Sequence, residues 1–386
     1  MEIKLHSSFE LKGTSFKNTQ ELLQFSESFS EPIHVFLKQF FDETDVVKLQ
    51  TSGSTGIPKL IEIKKKYMVN SALATGSFFD LGKGTTALLC MNPEFIAGKM
   101  MLVRALILGW KLDIVTPSLN SLKDVKKKFD FTAMIPLQVT NSFDDLHKIK
   151  KLIIGGGVIS KELENQLQEL ETECFATYGM TETVSHIAIQ KLNNSPSLRG
   201  GTTKQSYDVN HNLISSGIEK FHYNLLPNIS ISKDVRNCLV INAPKIAEEQ
   251  IITNDIVELT SKNSFKWLGR YDNIINSGGV KLIPEQIEEK ISKIIDQRFF
   301  VAGIPDEVLG EKLVLVVEIQ RNKEVKEQRG KVEKRKAVIS NAMKNLTTLD
   351  KYEIPKEIYF IDKFIETATK KIQRKKTLNI FTKNFN

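Results

Sequence analysis

Thr51-Ser52-Gly53-Ser54-Thr55-Gly56-Ile57-Pro58-Lys59 is the stretch on which the reading of this chain turns. Four hydroxyls, two glycines and a lysine follow directly on the short apolar run of Val46, Val47 and Leu49. Paired glycines let backbone amides converge on one point, and such a nest holds anions. Hydroxyls add donors, and Lys59 adds a compact positive charge. A polyphosphate is the natural guest. A Walker A loop is excluded, because Gly53 and Gly56 are too close together and Lys59 follows a proline. Taken alone, the same composition also describes a plain surface loop, so the rest of the chain has to decide.

Three more stretches follow in order: Tyr178-Gly179-Met180-Thr181-Glu182-Thr183, then Gly269-Arg270-Tyr271-Asp272, then Lys371-Ile372-Gln373-Arg374. Four motifs in this order resemble the adenylate-forming superfamily, which includes acyl-CoA ligases, amino-acid adenylation domains and luciferases. The resemblance spans residues 51–374. It implies an acyl-CoA synthetase-like α/β fold: a large N-terminal α/β domain with a β-rich subdomain, and a small, mobile α+β C-terminal domain.

Bulk properties agree with a two-domain globule. At 386 residues the chain exceeds the size at which one hydrophobic core stops growing. Its 41% hydrophobic and 26% charged residues are those of an ordinary globular protein. No apolar stretch reaches the ~20 residues that span a bilayer, and the longest, Met100 to Trp110, is interrupted by Arg104. Cys90, Cys174 and Cys238 are widely spaced and odd in number, which argues for reduced thiols in a cytoplasmic protein. The net charge is +8, and residues 271–386 hold 23 Lys/Arg against 17 Asp/Glu. Acids interleave these bases and no aromatic series accompanies them, so a nucleic-acid partner is not expected. The excess can still favour an anionic ligand. Composition leaves a homodimer open.

From 46 to 180 the pattern alternates. Strands are expected at Val46–Gln50, Thr86–Met91, Leu112–Thr116, Phe131–Ile135, Lys151–Ile154 and Cys174–Thr177. Helices are expected at Lys65–Phe79, Gly98–Leu108, Ser121–Phe129, Pro136–Phe143 and Ser160–Leu170. Such alternation means a mostly parallel sheet covered by helices. Gly155-Gly156-Gly157 and Tyr178–Thr183 fall just past strand ends, the edge at which open α/β sheets bind ligands. After about residue 184 short β-rich pieces take over. The expected boundary lies at Gly269-Arg270, giving an adenylation domain over 1–269 and a C-terminal α+β domain over 270–386.

The resemblance assigns roles. Thr51, Ser52, Gly53, Ser54, Thr55, Gly56 and Lys59 would cradle the β- and γ-phosphates of ATP. Glu182 would hold Mg²⁺, which prefers hard oxygen ligands. Thr181 would contact the α-phosphate. Tyr178, Gly179 and the triplet Gly155, Gly156 and Gly157 would line the adenine slot. Asp255, in Thr253-Asn254-Asp255, would accept the ribose hydroxyls, with Asn254 replacing a family glycine in a turn, and Arg270 would be a second ribose contact. Asp272 would be the hinge. Ser277, Gly278 and Gly279 would form a channel for the pantetheine arm of coenzyme A. Lys371 would reach between the substrate carboxylate and the α-phosphate and stabilise the charge that develops there. Lys370 stands where the family signature has glycine.

Asn92 to Leu106 and Ile135-Pro136-Leu137-Gln138 look most like the o-succinylbenzoate–CoA ligases of menaquinone synthesis. Only 50 residues precede the phosphate loop, fewer than most members carry, and Phe95 stands where many ligases have histidine. The acid has a second carboxylate that needs a partner, and Lys99 or Arg104 could supply it. His186 reads as structural. Two rival readings remain: an enzyme that loads an amino acid onto a carrier protein, and a non-catalytic nucleotide-binding protein. The first lacks the early Asp expected for the amino group. The second is disfavoured by the joint presence of Lys59, Glu182, Asp255, Arg270 and Lys371.

Overall fold

A computed structural model describes residues 3–50, 60–193, 222–319, 329–367 and 371–382. The phosphate-loop residues Thr51 to Lys59 therefore lie outside the described residues, as does Lys370.

The N-terminal half is wound as its sequence pattern requires. Strands β1 (Glu10–Leu11) and β2 (Thr14–Ser15) and helices α1 (Thr19–Glu27) and α2 (Glu31–Phe41) open the chain. Helix α1 is capped by Asn18, whose side chain accepts the Glu21 amide. Next come β3 (Val46–Gln50), β4 (Leu60–Lys64), α3 (Lys65–Phe79), β5 (Thr86–Leu89), α4 (Ile96–Leu108) and β6 (Lys111–Ile114). They are followed by β7 (Phe129–Met134), α5 (Pro136–Asn141), β8 (Ile149–Ile154), α6 (Lys161–Leu167) and β9 (Glu173–Gly179). Strands β9, β8, β7, β5, β6 and β1 lie side by side in that order, all parallel. Apolar runs such as Leu152-Ile153-Ile154 suit strands buried on both faces. Phe79, Trp110, Phe131 and Phe175 meet edge-on or tilted beneath α3, with Phe79 and Phe175 ring centres 5.0 Å apart.

Two elements differ from the sequence expectation. Strand β3 does not join the parallel sheet. It pairs antiparallel with β4, Val46 opposite Lys64, as a separate two-stranded ribbon. The apolar run identified a strand but carried no information about its neighbour. The helix expected over Ser121–Phe129 is a turn, and Phe129 belongs to β7. The Gln138 side chain donates to Ser118 O (3.1 Å) and Ser121 Oγ (2.9 Å), fixing the segment as a turn. With Leu122 and Val125 alone as buried anchors, a lysine-rich segment has too little apolar face to repay helix formation.

Strand β9 turns back into β10 (His186–Lys191), and the sheet continues antiparallel through β11 (Tyr223–Leu225), β15 (Ser264–Arg270), β14 (Ile251–Ser261), β13 (Cys238–Asn242) and β12 (Ser230–Lys233). The β-rich region is thus continuous, edge to edge, with the parallel sheet. Beyond Arg270 a second sheet begins. It has β16 (Ile275–Ser277), β17 (Val280–Leu282), β18 (Phe299–Asp306), β19 (Gly310–Glu318) and β20 (Glu357–Ile361). Helices Pro284–Ile291, Arg329–Lys344 and Arg374–Thr382 accompany it. Its core of Ile275, Ile287, Ile291, Val301, Leu315 and Met343 is a cluster of its own. Cys90, Cys174 and Cys238 are buried free thiols, and burial pushes Cys90 up to about 11 and Cys174 up to about 12. Among the described residues no helix is long and apolar enough to cross a membrane.

Candidate active site

The carboxyl ends of β8 and β9 open side by side. A Cβ on Gly155 would stand 2.5 Å from Thr177 Oγ1, so the two strand ends approach closely only because that residue is glycine. Gly156 has φ +78° and turns the chain out of the sheet, leaving Gly156 and Gly157 exposed along the rim. Gly179 is tighter still: a Cβ there would meet Ser185 O at 2.2 Å. The segment 180–185 folds back over β9 on that account. Thr181–Thr183 forms one 3₁₀ turn, with Thr181 half-buried and Glu182 exposed. Thr183 is buried, and its hydroxyl accepts the Met180 amide (2.9 Å) and lies 2.7 Å from Ser185 O.

Val184 has φ +65° and ψ −48°, and the Ser185 amide donates to Thr183 O at 2.6 Å. This is a γ-turn of the rare, strained kind, on a β-branched residue. Strain of that order costs about 1–3 kcal/mol and persists only where the surroundings enforce it. Here it aims Ser185 at helix α4. Arg104 Nη2 donates to Ser185 Oγ at 2.6 Å, and its Nε donates to Thr75 Oγ1 at 3.2 Å. The Arg104 residue is 2% exposed, and burial alone draws its guanidinium down to about 10. His186 is buried alongside, with Nδ1 3.3 Å from Ser185 Oγ and Nε2 3.4 Å from Thr75 Oγ1. Burial, with the Arg104 charge adding to it, holds His186 well below the ordinary histidine range, so it is neutral near pH 7. Among the described residues no carboxylate pairs with Arg104. Lys99, five residues earlier, is placed differently. Its ammonium donates to Pro93 O (2.8 Å) and Glu94 O (2.6 Å) and lies 5.5 Å from the Phe36 ring centre. Lys99 thereby ties down the loop before α4 and is occupied there.

A second cluster forms where β14 and β15 meet β9. Asp255 is buried, and its Oδ2 accepts the Tyr178 hydroxyl at 2.6 Å. Its Oδ1 receives Trp267 Nε1 (3.2 Å) and Arg270 Nη1 (3.4 Å). A carboxylate has about four acceptor positions, so any ribose hydroxyl reaching Asp255 exchanges with or joins these three donors. Burial and the Asp255 charge push the Tyr178 hydroxyl far above its ordinary value, and its ring packs edge-on to Phe265, 5.1 Å between centres. Asn254 does not sit in a turn. It lies within extended β14, where its amide donates to both carboxylate oxygens of Asp272 at 3.1 and 3.2 Å. Asp272 also receives Arg270 Nη2 at 3.1 Å. The expected hinge residue is therefore tied to the large sheet by an amide and a guanidinium.

Lys371 approaches the same cluster. Its backbone is paired with Thr367, Lys371 N–H donating to Thr367 Oγ1 (3.0 Å) and Thr367 N–H to Lys371 O (2.9 Å). Its side chain keeps an exposed outer side. Crowding by protein holds its ammonium below the ordinary lysine range, the Arg270 charge adds to this, and Asp255 opposes it. Lys371, Arg270 and Asp255 are thus within electrostatic reach of one another. Ser277 ends β16, and Gly278 (φ +58°) and Gly279 (φ +81°) form the two-residue turn into β17. Two positive φ values in succession are what a twisted hairpin demands, so this glycine pair has a structural reason of its own. Residues that sequence reasoning missed are Thr75, Ser185, Trp267 and Arg236, whose guanidinium donates to Asn254 Oδ1 at 2.9 Å and to Thr253 O. None carries a local signal, because each meets its partner only through the fold, across 12 to 81 residues of chain.

A mixed sheet whose parallel strand ends meet a glycine-lined rim, a Thr-Glu turn and a cationic tail segment defines a nucleotide-using α/β enzyme of the adenylate-forming type. The model of the AMP-binding enzyme family matches residues 10–207, and the chain belongs to that family of AMP-forming ligases. It is similar to 2-succinylbenzoate–CoA ligases: 25% identical to that of a Geobacillus species over 92% of this chain and 73% of the relative. To that of Lactococcus lactis it is 24% identical over 97% and 80%. It is 34% identical to a Dyadobacter fermentans protein described as an acyl-CoA synthetase (AMP-forming)/AMP-acid ligase II-like protein, with a TM-score of 0.54 and 90% and 93% of the chains covered. The o-succinylbenzoate coenzyme A synthetase of Bacillus subtilis, solved with ATP and magnesium ion, shares the fold at 16% identity, with a TM-score of 0.66 and 94% and 82% covered.

Proposed function

We propose that this chain converts o-succinylbenzoate to its coenzyme A thioester in two steps, as a cytoplasmic enzyme of menaquinone synthesis. A carboxylate oxygen attacks the α-phosphorus of ATP, the bond to the bridging oxygen breaks, and pyrophosphate leaves. The thiol sulfur of coenzyme A then attacks the acyl carbon, AMP leaves, and the thiol proton passes to solvent. The observation that carries the choice of acid is Arg104: a buried guanidinium beside the site, held by two hydroxyls and matched by no carboxylate among the described residues. A cation taken out of water without an anion is costly, and a dicarboxylate substrate supplies the missing charge. The names of the curated relatives support the same acid.

The remaining roles belong to the same reading. Thr181 and the 155–157 rim would flank the phosphate and the base, and Arg270 and Asp255 would face the ribose. Glu182 has an exposed carboxylate that nothing among the described residues engages. That suits Mg²⁺, which binds through one or two carboxylates and the phosphates of its nucleotide. The ion would neutralise charge on the departing pyrophosphate. Thr51 to Lys59 would grip the outer phosphates. Lys371 would sit on the reacting oxygens, with residues 270–386 as a lobe that moves about Asp272 and presents Ser277, Gly278 and Gly279 to the pantetheine arm in the second step. ATP–pyrophosphate exchange across benzoate, o-succinylbenzoate, fatty acids and amino acids tests this directly. Exchange that depends on o-succinylbenzoate, with Lys371→Ala lowering it about 10²-fold or more while sparing thioester formation from supplied acyl-adenylate, is the expected result. Exchange driven by an amino acid, or by no acid at all, refutes the proposal.

A further inference from the structure

Three residues after Lys371, Arg374 opens helix Arg374–Thr382 and spends its guanidinium on two carboxylates, a carbonyl and a ring. Its Nη1 and Nη2 donate to Glu288 Oε1 and Oε2 at 2.7 and 2.8 Å, a two-pronged pairing that fixes orientation as well as distance. Nη1 also donates to Val301 O at 3.2 Å, and the guanidinium lies over the Phe300 ring, 5.7 Å from its centre. Glu288 is locked in turn by the Val301 amide at 2.8 Å. Burial pushes its carboxyl up to about 7, while Arg374 pulls it back.

Arg374 also reaches the segment that leaves the large sheet. Its Nη2 is 3.5 Å from Glu285 Oε1. That carboxylate accepts Asn273 Nδ2 at 2.6 Å and the Arg270 amide at 3.4 Å. A Cβ on Gly269 would stand 2.5 Å from Glu285 Oε2, so the approach exists because residue 269 is glycine. One guanidinium thereby joins the segment from Lys371 to Arg374 to helix Pro284–Ile291 and, through Glu285, to residues 270–273. The backbone at Lys371 is otherwise held by Thr367, with Gln373 N–H on Ile365 O at 2.8 Å.

We propose that Arg374 is a positioning residue for adenylation: through Glu288 and Glu285 it sets where the Lys371 ammonium stands relative to the Arg270 and Asp255 cluster. The inference rests on the adenylation reading given above. Arg374→Met, Arg374→Lys, Glu288→Gln and Lys371→Ala are to be compared in the two half-reactions separately. Misplacing a reacting group by about 1 Å costs about 10²-fold. Arg374→Met therefore lowers the maximal rate of ATP–pyrophosphate exchange about 10²-fold, with KM for ATP changed less than about threefold. Thioester formation from supplied acyl-adenylate stays within about twofold. Arg374→Lys keeps the charge but loses the fork, and Glu288→Gln keeps the shape but loses the charge. Each costs about tenfold in exchange alone. In the Lys371→Ala background, Arg374→Met adds less than about twofold, because a misplaced ammonium and an absent one are equivalent. Equal loss in both half-reactions, or a loss that multiplies with that of Lys371→Ala, overturns the proposal. If Arg374→Met fails to fold, the Glu288→Gln and Arg374→Lys pair decides on the same criteria. Exchange in the unsubstituted protein that no carboxylic acid drives refutes the adenylation reading itself, and Lys371→Ala without loss of exchange refutes the role given to Lys371. Loss in Lys371→Ala with none in the Arg374 variants refutes the positioning role alone.

Discussion

Arg104 and Arg374 are the same side chain put to opposite use. Arg374 closes on two carboxylates, a backbone carbonyl and a ring face, and the residues around it are what they are in order to hold it. Arg104 is buried more deeply, yet it meets two hydroxyls and the methionine sulfur of Met101, and a neutral His186 shares the same two hydroxyls. The first arrangement is complete in the protein alone. The second has no anion among the described residues, and burial weakens its hold on the proton. A satisfied charge reads as a fastener, and a buried charge left without its counterpart reads as a receptor. The strained turn at Val184 strengthens that contrast, because backbone strain is spent on bringing Ser185 to Arg104.

The contrast breaks most visibly at Arg104 itself. Arg104→Met keeps much of the volume and removes the cation. If it receives the second carboxylate, kcat/KM for o-succinylbenzoate falls by about 10²-fold or more, the scale of losing one partner of a desolvated charge pair. Benzoate, with one carboxylate, changes little. The variant is also more stable, by about 1 kcal/mol in urea unfolding, since an unmatched buried charge has been removed. Equal losses for both acids together with lower stability would make Arg104 a fastener like Arg374, and the comparison would be void.

The fastener responds in the other direction. Glu288→Leu leaves Arg374 with a shortened set of partners, and breaking a buried pair from one side costs about 3–5 kcal/mol. Glu288→Leu combined with Arg374→Met recovers most of this, because two apolar side chains of similar volume pack where the pair stood. Urea unfolding followed by tryptophan-independent probes, such as far-ultraviolet circular dichroism, reads both. A double variant no better than Glu288→Leu alone would mean that the Glu285 and Val301 contacts, rather than the pair, hold the segment.

Much of this molecule is legible in its sequence, and the illegible part has a common cause. Periodicity places β3, α3 over Lys65–Phe79 and the strands that build the parallel sheet, since each is dictated by its own residues. It does not choose partners. Nothing within Val46–Gln50 says that the strand pairs with β4, and nothing near Ser121 announces that Gln138 will hold the segment as a turn. The site shows the same division. Gly155, Gly179 and the Thr-Glu turn are local features and lie at one sheet edge as the motifs imply. Lys99 and Arg104 look alike as two cations on one helix. Only the fold shows that carbonyls six and five residues away occupy one, while the other faces Ser185 across 81 residues of chain. Asn254, standing in place of a glycine, reads as a turn former, but β14 runs straight through it and its amide goes to Asp272. The strain at Val184 has no sequence signature, because a valine flanked by hydroxyl residues is ordinarily extended.

A third cation calibrates the other two. Lys65 is 4% exposed, yet its ammonium meets Asp42 Oδ1 at 2.7 Å and Asp42 O at 2.8 Å near the protein surface. The Lys65 hydrogen bond, with Thr44 adding, draws the Asp42 carboxyl down to about 2 from an ordinary 3.8. The sign follows from proton binding. Between these two values the unfolded chain takes up a proton that the folded one refuses, so the contribution is fully present above pH about 3.8 and is lost as pH falls toward about 2. Asp42→Asn should remove a small increment of stability that is constant from pH 7 to about 4, and the wild type and variant curves should converge between pH about 4 and 2. The Asp42 carboxyl keeps 40% of its surface exposed, so solvent screening keeps this the smallest of the effects. The same titration applied to Arg104→Met should show no such convergence, because no carboxylate among the described residues answers that guanidinium. If the Arg104→Met and wild-type curves also converged in acid, a protein carboxylate would be titrating against Arg104, and the distinction between a completed pair and a waiting one would fail at its deeper member.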